Sequence, residues 1–341
     1  MSHLLSERDA LYESTRRGFV ARCFTKPKSL PQNVKFTDKV AVITGSNAGL
    51  GFEAARQFLA LGLSHLVMGV RSQAKGDAAA ASLRKEFPAA TVTVWLLDMD
   101  SYESVQGFAA NVATLPRVDF AILNAGAVKQ TFSIVASTGH ESSLQANYLS
   151  TALLAILLLP VLKAKKSASG VPVLSLVGSD TAYMETVKTQ DGILHHFDNP
   201  EGYANMQWYG REKQLLALFA ANLAELVDPK DVLVHTVNPG LAKGTALGRE
   251  FPGIVKVGLT VMQNMLGRTP EVGASTYVDA VVNHGAESHG SFLSEWTIKP
   301  FPVVYYTKNG PEFVAQLWKE TMEELQFAGV TQILESLKSG N

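Results

Sequence analysis

The stretch KVAVITGSNAGLGFEAARQFLA, residues 39–60, decides the fold. VAVIT, ending at Thr44, is a short β-branched apolar run with the character of a buried strand, and the segment after the glycines is rich in good helix formers. Between them Gly45, Gly49 and Gly51 follow the spacing G-x-x-x-G-x-G. Glycines there let the turn tighten and bring backbone N–H groups close to an anion at the helix N-terminus, where the helix dipole also favours negative charge. The spacing differs from the common G-x-G-x-x-G of dinucleotide sites, but the physics is shared. Gly45, Ser46, Asn47, Gly49, Leu50 and Gly51 are therefore the candidate pyrophosphate cradle.

Outward from this unit the same alternation continues. HLVMGV (65–70), TVTVWLL (91–97), VDFAILN (118–124), VPVLSLV (171–177) and VLVHTVN (232–238) are short apolar runs separated by helix-length segments. Runs that are apolar at nearly every position suit strands covered on both faces. The expected fold class is α/β: a single doubly wound, Rossmann-type parallel sheet of about seven strands with helices on both faces. Residues 1–36 read as an N-terminal extension, 37–330 as the main domain and 331–341 as a C-terminal tail. Two irregular regions follow strand ends: an insert over 183–207, and a stretch over 241–268 expected to form a substrate-side lid. Both are longer than ordinary βα connections, which marks them as site-lining.

Composition excludes several functions. The 341 residues carry a net charge of -1, which offers no field to gather nucleic acid. The single cysteine, Cys23, permits no internal disulfide and has no companions for a cysteine metal site, so no metal is expected and a reducing, cytoplasmic setting is. The most apolar run, Tyr148–Leu162, contains Pro160 and falls short of the roughly 18–20 residues a bilayer requires, so it reads as a buried core helix and not as a transmembrane segment. The N-terminal arm leaves two readings open: peripheral contact with a membrane, or docking on the protein's own surface.

The second strand ends in VMGVRSQAK, so Arg71 and Lys75 stand where an NAD-binding protein would place an acid for the ribose 2′-hydroxyl. A guanidinium suits a 2′-phosphate, which points to NADP(H). Asp98, with Met99 beside it, closes the third strand, and Asn124, with Ala125 and Gly126 after it, closes the fourth. These are the expected neighbours of adenine and the nicotinamide ribose. Pro239 and Gly240 follow the sixth strand. YGREKQLLALFAANLAEL, residues 209–226, reads as a helix that opens with Tyr209 and Lys213 four apart, hence on one face. Taken alone such a pair is usually an amphipathic rim. The adjacent Trp208, like Met262, Met265 and Leu266, is either a pocket wall or plain structure, and His195-His196 read as loop or pocket-lining residues.

Together these motifs resemble the short-chain dehydrogenase/reductase family over residues 38–295. TGSNAGLG (44–51) looks like its TGxxxGxG loop, NAGA (124–127) its NAG motif, Asn147 its helix asparagine, Ser179 its catalytic serine, YGREK its YxxxK and NPG (238–240) its loop over the nicotinamide. The chain is most similar to the retinol-dehydrogenase-like and WW-domain-oxidoreductase-like branch found in fungi, which implies a role in secondary metabolism. It departs from the family in having Gly244 where a threonine is frequent, with Thr245 one residue later, and GSD where a Ser-Ser pair is usual.

The resemblance implies four catalytic residues, Asn147, Ser179, Tyr209 and Lys213, of which Tyr209 and Lys213 also touch the cofactor. Hydride delivery to a carbonyl leaves an alkoxide that needs a proton, and a phenol can supply one. A free phenol has a pKa near 10, and a neighbouring ammonium is expected to lower it. Ser179 would hold the substrate oxygen and Asn147 would anchor a water joining Lys213 to solvent. The expected activity is NADP(H)-dependent interconversion of a carbonyl and an alcohol on a hydrophobic small molecule. Alternatives are reduction of an activated C=C bond, quinone or enone at the same site, and a catalytically silent NADP(H) sensor. Relatives of this kind often form homo-oligomers through helices such as 148–162 and 209–226, so the sequence leaves two readings open: a homo-oligomer, or those surfaces covered by the N-terminal extension.

Overall fold

The computed structural model describes residues 1–167, 170–187, 192–244 and 253–338. Its strands are β1 (Val40–Thr44), β2 (His65–Val70), β3 (Thr91–Leu96), β4 (Phe120–Leu123), β5 (Val173–Val177), β6 (Leu233–Asn238), β7 (Phe292–Ser294) and β8 (Thr297–Lys299). They form one eight-stranded sheet in the order β3-β2-β1-β4-β5-β6-β7-β8. Every pair is parallel except β7 with β8. The chain moves outward from β1 in one direction and then the other, which creates the switch point between β1 and β4 where such sheets bind ligands.

Strand period and burial agree in β1. Val40 and Val42 face the layer of α5 (Tyr102–Ala113), α7 (Ser150–Ala164) and α9 (Asn205–Glu225), whereas Ala41 and Ile43 face the layer of α3 (Gly49–Ala60), α4 (Gln73–Glu86) and α11 (Pro270–Val282). Phe108, Leu153 and Phe219 fill the first layer, and Phe58, Leu83 and Tyr277 the second.

The doubly wound sheet matches the expectation, with eight strands where about seven were expected; β7 and β8 lie beyond the six runs visible in the sequence. Those strands are three residues each, too short for a periodic signal. Their hairpin turns on Glu295 and Trp296, with φ of 51° and 58°. Two successive positive φ values are normally supplied by Asn-Gly, so this turn is invisible in the sequence. Arg268 holds it instead, stacked 4.7 Å over the Trp296 ring and paired with Glu295 at 3.2 Å.

The N-terminal extension folds into α1 (Glu7–Ser14) and α2 (Arg16–Cys23) and lies on the domain. Ser2 is buried against β7, where its hydroxyl accepts the Phe292 N–H, and Phe36 packs among Phe58 and Phe120. The expected tail over 331–341 is helical through most of its length: α13 (Val330–Lys338) buries Leu334 against α7, after α12 (Gly310–Glu324) has packed on α9. Thus the outer faces of α7 and α9 are covered by the chain's own C-terminal helices.

The insert over 183–207 carries α8 (Ile193–Asp198), with Ile193, Leu194 and Phe197 buried in the main core; its residues 188–191 lie outside the described residues. Of the region over 241–268, α10 (Gly253–Leu266) is described, with Met262 and Met265 exposed, while 245–252, including Thr245, lie outside the described residues. A short helix α6 (Ser142–Leu144), a π turn (Gln145–Leu149) and α7 run on as one helix, Ser142–Ala164. By length and composition it could cross a bilayer, but it is mostly buried inside the protein.

Candidate active site

The glycine turn leaves β1 with Gly45 at φ 66° and Gly49 at φ 57°. A Cβ on Gly51 would stand 2.5 Å from Asn124 Nδ2 and 2.6 Å from the Gly45 carbonyl oxygen, so only glycine fits where β1 and β4 diverge. At Gly49 a side chain would meet nothing within 4 Å, so this part of the turn faces open space. Ser46 is fully buried and its hydroxyl donates to the Ile43 carbonyl, which leaves only its backbone for a ligand. Asn47 is half-buried, and Leu50 packs toward α11 at Gly273.

Arg71 and Lys75 are exposed at the carboxyl end of β2, and among the described residues neither side chain forms a hydrogen bond or ion pair. Asp98 is half-buried and accepts the Asp100 N–H at 3.1 Å. Met99 turns into the core instead, and its carbonyl accepts from Ser150. Asn124 is consumed structurally: Nδ2 donates to the Thr44 carbonyl at 2.9 Å, and Oδ1 accepts from Tyr277 at 3.0 Å. Thr44 Oγ1 accepts the Ala125 N–H. The backbone from Ala125 to Gly126 is thereby fixed beside the glycine turn.

Gly126 joins this cradle to the catalytic candidates. A Cβ there would lie 2.7 Å from Asn147 Oδ1 and 3.6 Å from Lys213 Nζ. Asn147 sits in the π turn, fully buried, with Oδ1 accepting the Ala127 N–H and Nδ2 donating to the Ala127 carbonyl and to Glu212 Oε2. Its side chain is therefore fully engaged with protein groups, and the water-anchoring role implied for it falls outside these contacts. Lys213 Nζ donates to the Val177 carbonyl at 2.8 Å and lies 5.6 Å from the Tyr209 ring centre. Ser179 caps the short helix Asp180–Tyr183, and its oxygen accepts from Thr181 N–H and Oγ1. Ser175 is instead mid-strand in β5, buried and bonded to His235.

Two expectations about the Tyr209 helix are corrected. α9 starts at Asn205, so Tyr209 belongs to its second turn and not its first. Burial holds the Tyr209 hydroxyl above the usual phenol range, and what opposes burial is its hydrogen bond with Ser179, with Glu212 and Asp180 pushing the other way. Lys213 is itself affected, lowered to about 8 by burial, which only an ionised Glu212 opposes.

Glu212 is a site residue that sequence reasoning missed. It is fully buried, and burial raises its carboxyl to about 8. Its protonation follows from counting hydrogens. Ser143 Oγ lies 2.6 Å from both Glu141 Oε2 and Glu212 Oε1, yet a hydroxyl has one proton to give. Glu141 Oε2 also accepts two backbone N–H groups, from Ser143 and Leu144, as an ionised cap does. The second short contact therefore takes its proton from Glu212, which is neutral and leaves the Lys213 charge uncompensated. In the sequence Glu212 stands between Arg211 and Lys213, ahead of the apolar run, and nothing there sets it apart from a solvated helix residue.

Val128 packs with Tyr209, joined by Met206, as an apolar wall beside the phenol. Trp208 is core: buried, stacked on His196, with its N–H donating to the Phe197 carbonyl. Beyond β6, Pro239 is buried; Gly240, at φ 73°, has no room for a Cβ because Arg268 Nη1 would be 2.6 Å away.

A family model described as short chain dehydrogenase matches residues 39–187. Short chain dehydrogenase virL of Hypocrea virens is 50% identical over 334 residues, 97% of this chain and 98% of its own. Short chain dehydrogenase/reductase mfmJ of Annulohypoxylon moriforme is 48% identical over 318 residues, 92% of each chain. Among solved structures, L-sorbose reductase from Gluconobacter frateurii, complexed with NADPH and L-sorbose, aligns with TM-score 0.57 at 24% identity over 77% of this chain and 98% of that one. The NADPH-dependent 3-quinuclidinone reductase from Rhodotorula rubra aligns with TM-score 0.58 at 23% identity, covering 79% and 96%. With half its residues identical to a relative across nearly its whole length, and with the same sheet as these reductases, the chain belongs to the short-chain dehydrogenases, a family of oxidoreductases.

Proposed function

We propose that the protein is an NADP(H)-dependent enzyme interconverting a carbonyl and an alcohol on a hydrophobic small molecule, with Tyr209 as the general acid and base. One observation carries the reading: a continuous run of contacts from the Gly51 turn through Asn124 and Gly126 to Lys213, Tyr209 and Ser179. The residues fit a dinucleotide phosphate. Gly51 leaves no space for a side chain between the turn and Asn124, Gly49 opens outward, and Arg71 and Lys75 offer uncommitted positive charge where a 2′-phosphate would sit.

When bound, the dinucleotide supplies or accepts the hydride. Every other task falls to the protein. Tyr209 gives its hydroxyl proton to the oxygen that becomes the alcohol, and as phenolate takes one back in the reverse direction. Ser179 accepts from two Thr181 donors and is hydrogen-bonded to the Tyr209 hydroxyl, which places its own hydroxyl beside the acid to position that same oxygen. Lys213, whose ammonium donates to the Val177 carbonyl and lies 5.6 Å from the Tyr209 ring centre, stabilises the phenolate once it forms. Val128 and Met206 support an apolar substrate.

Tyr209→Phe tests the reading. Turnover is expected to fall by about two to four orders of magnitude, the range for loss of general acid catalysis, while NADPH binding by fluorescence titration stays near the parent value. Wild-type turnover in that variant would remove the mechanism.

A further inference from the structure

The N-terminal extension touches two loops of the proposed site through buried charge. Arg22, at the end of α2 and 2% exposed, pairs its Nε with Asp180 Oδ2 at 3.2 Å and its Nη1 with both the carbonyl and the carboxylate of Glu13. Asp180 directly follows Ser179 and opens the short helix that Ser179 caps. Arg268, also buried, donates from Nη2 to the Arg22 carbonyl at 2.7 Å and from Nη1 to the Pro239 carbonyl at 3.1 Å. Glu13 in turn binds Lys299 of β8, and Glu295 binds Arg268. One ionic lattice thus ties α1 and α2 to the serine loop on one side and the Pro239-Gly240 loop on the other.

We propose that residues 1–24 form a working wall of the substrate site, with Arg22 and Arg268 as positioning residues that hold Ser179 through Asp180 and the Pro239-Gly240 loop through its carbonyl. The inference rests on the carbonyl–alcohol reading above and extends it to a segment outside the Rossmann sheet. Two physical effects support it. A buried carboxylate left without Arg22 would move to find solvent or a proton, carrying Ser179 with it. Asp180 is also among the charges that make Tyr209 harder to ionise, so the arginine beside it screens the acid. Positioning errors of about 1 Å cost up to about a hundredfold in rate, which makes this contact measurable.

The test is a cycle of Arg22→Gln, Asp180→Asn and the double variant, assayed for kcat, for NADPH binding by fluorescence titration, and for alkylation of Cys23, the chain's single cysteine and a direct neighbour of Arg22. Each single variant is expected to lower kcat roughly tenfold or more with NADPH affinity within about twofold, the double variant to fall no further than the worse single, and Cys23 alkylation to speed up in all three. A merely structural pair would lower the melting temperature while kcat, measured well below it, stays at the parent value; that result overturns the proposal, as does full multiplicativity of the two losses. Should Arg22→Gln not fold, the near-isosteric Asp180→Asn decides alone by the same kcat and alkylation readouts. The two failures are separable. If Tyr209→Phe keeps wild-type turnover the whole reading falls, whereas if it loses turnover and the Asp180 variant does not, only the role of the N-terminal wall falls.

Discussion

A single side chain can be eligible for chemistry and still be claimed by the fold. Asn124 stands at the end of β4 as expected, yet both ends of its amide are spent on Thr44 and Tyr277. Arg71 is the contrasting case, exposed and uncommitted among the described residues. If it holds a 2′-phosphate through a charge-assisted pair, Arg71→Ala should weaken NADPH binding by about 1.5–3 kcal/mol, roughly ten- to a hundredfold, and leave NADH binding within about twofold. Equal losses in parallel titrations would show that the guanidinium does not distinguish the two dinucleotides. Tyr209 and Lys213 were legible because an i,i+4 pair needs only a helix to bring it together. Glu212 was not, since its role depends on Ser143, Glu141 and Asn147, which come from another part of the chain.

At the scale of elements, the insert before α9 proves to be built into the core. Glu320 of α12 accepts the Ile193 and Leu194 N–H groups at the start of α8, and Trp208 binds the Phe197 carbonyl from α9. At the other end, His140 lies between Asp198 at 2.9 Å and Glu324 at 3.2 Å. Burial alone would lower the imidazole pKa, but the bonds to Asp198 and Glu324 outweigh it and raise it to about 9. The native state therefore keeps a proton that the unfolded chain, near 6.5, releases. This stabilisation is complete below about pH 6.5 and fades as pH rises through about 9. In urea unfolding, the gap between the parent and His140→Gln should be largest at pH 6, on the order of 1–2 kcal/mol after screening, and shrink toward pH 9.5. A gap that grows with pH would mean the imidazole is neutral in the folded protein. Insertion length was readable from sequence, but the burial of α8 was not, because six residues are too few to show a face.

For the whole molecule, the termini do more than the sequence suggests. Expected as an extension and a tail, they become a wall beside Asp180 and a cover over α7 and α9. Leu334 of α13 is 5% exposed, so Leu334→Ala should cost about 2–4 kcal/mol in chemical denaturation. A detached tail would show no change.

What the sequence determined by itself is what repeats along the chain or acts over a few residues. The strand–helix alternation, the glycine turn and the Tyr209–Lys213 spacing are of this kind, because backbone periodicity and sterics are local laws. Tertiary structure alone decided which acid keeps its proton, which groups occupy Asn124 and Asn147, and where the two ends of the chain dock. Each depends on partners distant in sequence: Arg22 meets Asp180 across 158 residues, and Ser2 meets Phe292 across 290. Burial makes those meetings count, since in a low-dielectric interior an unpaired charge costs far more than the same charge in water.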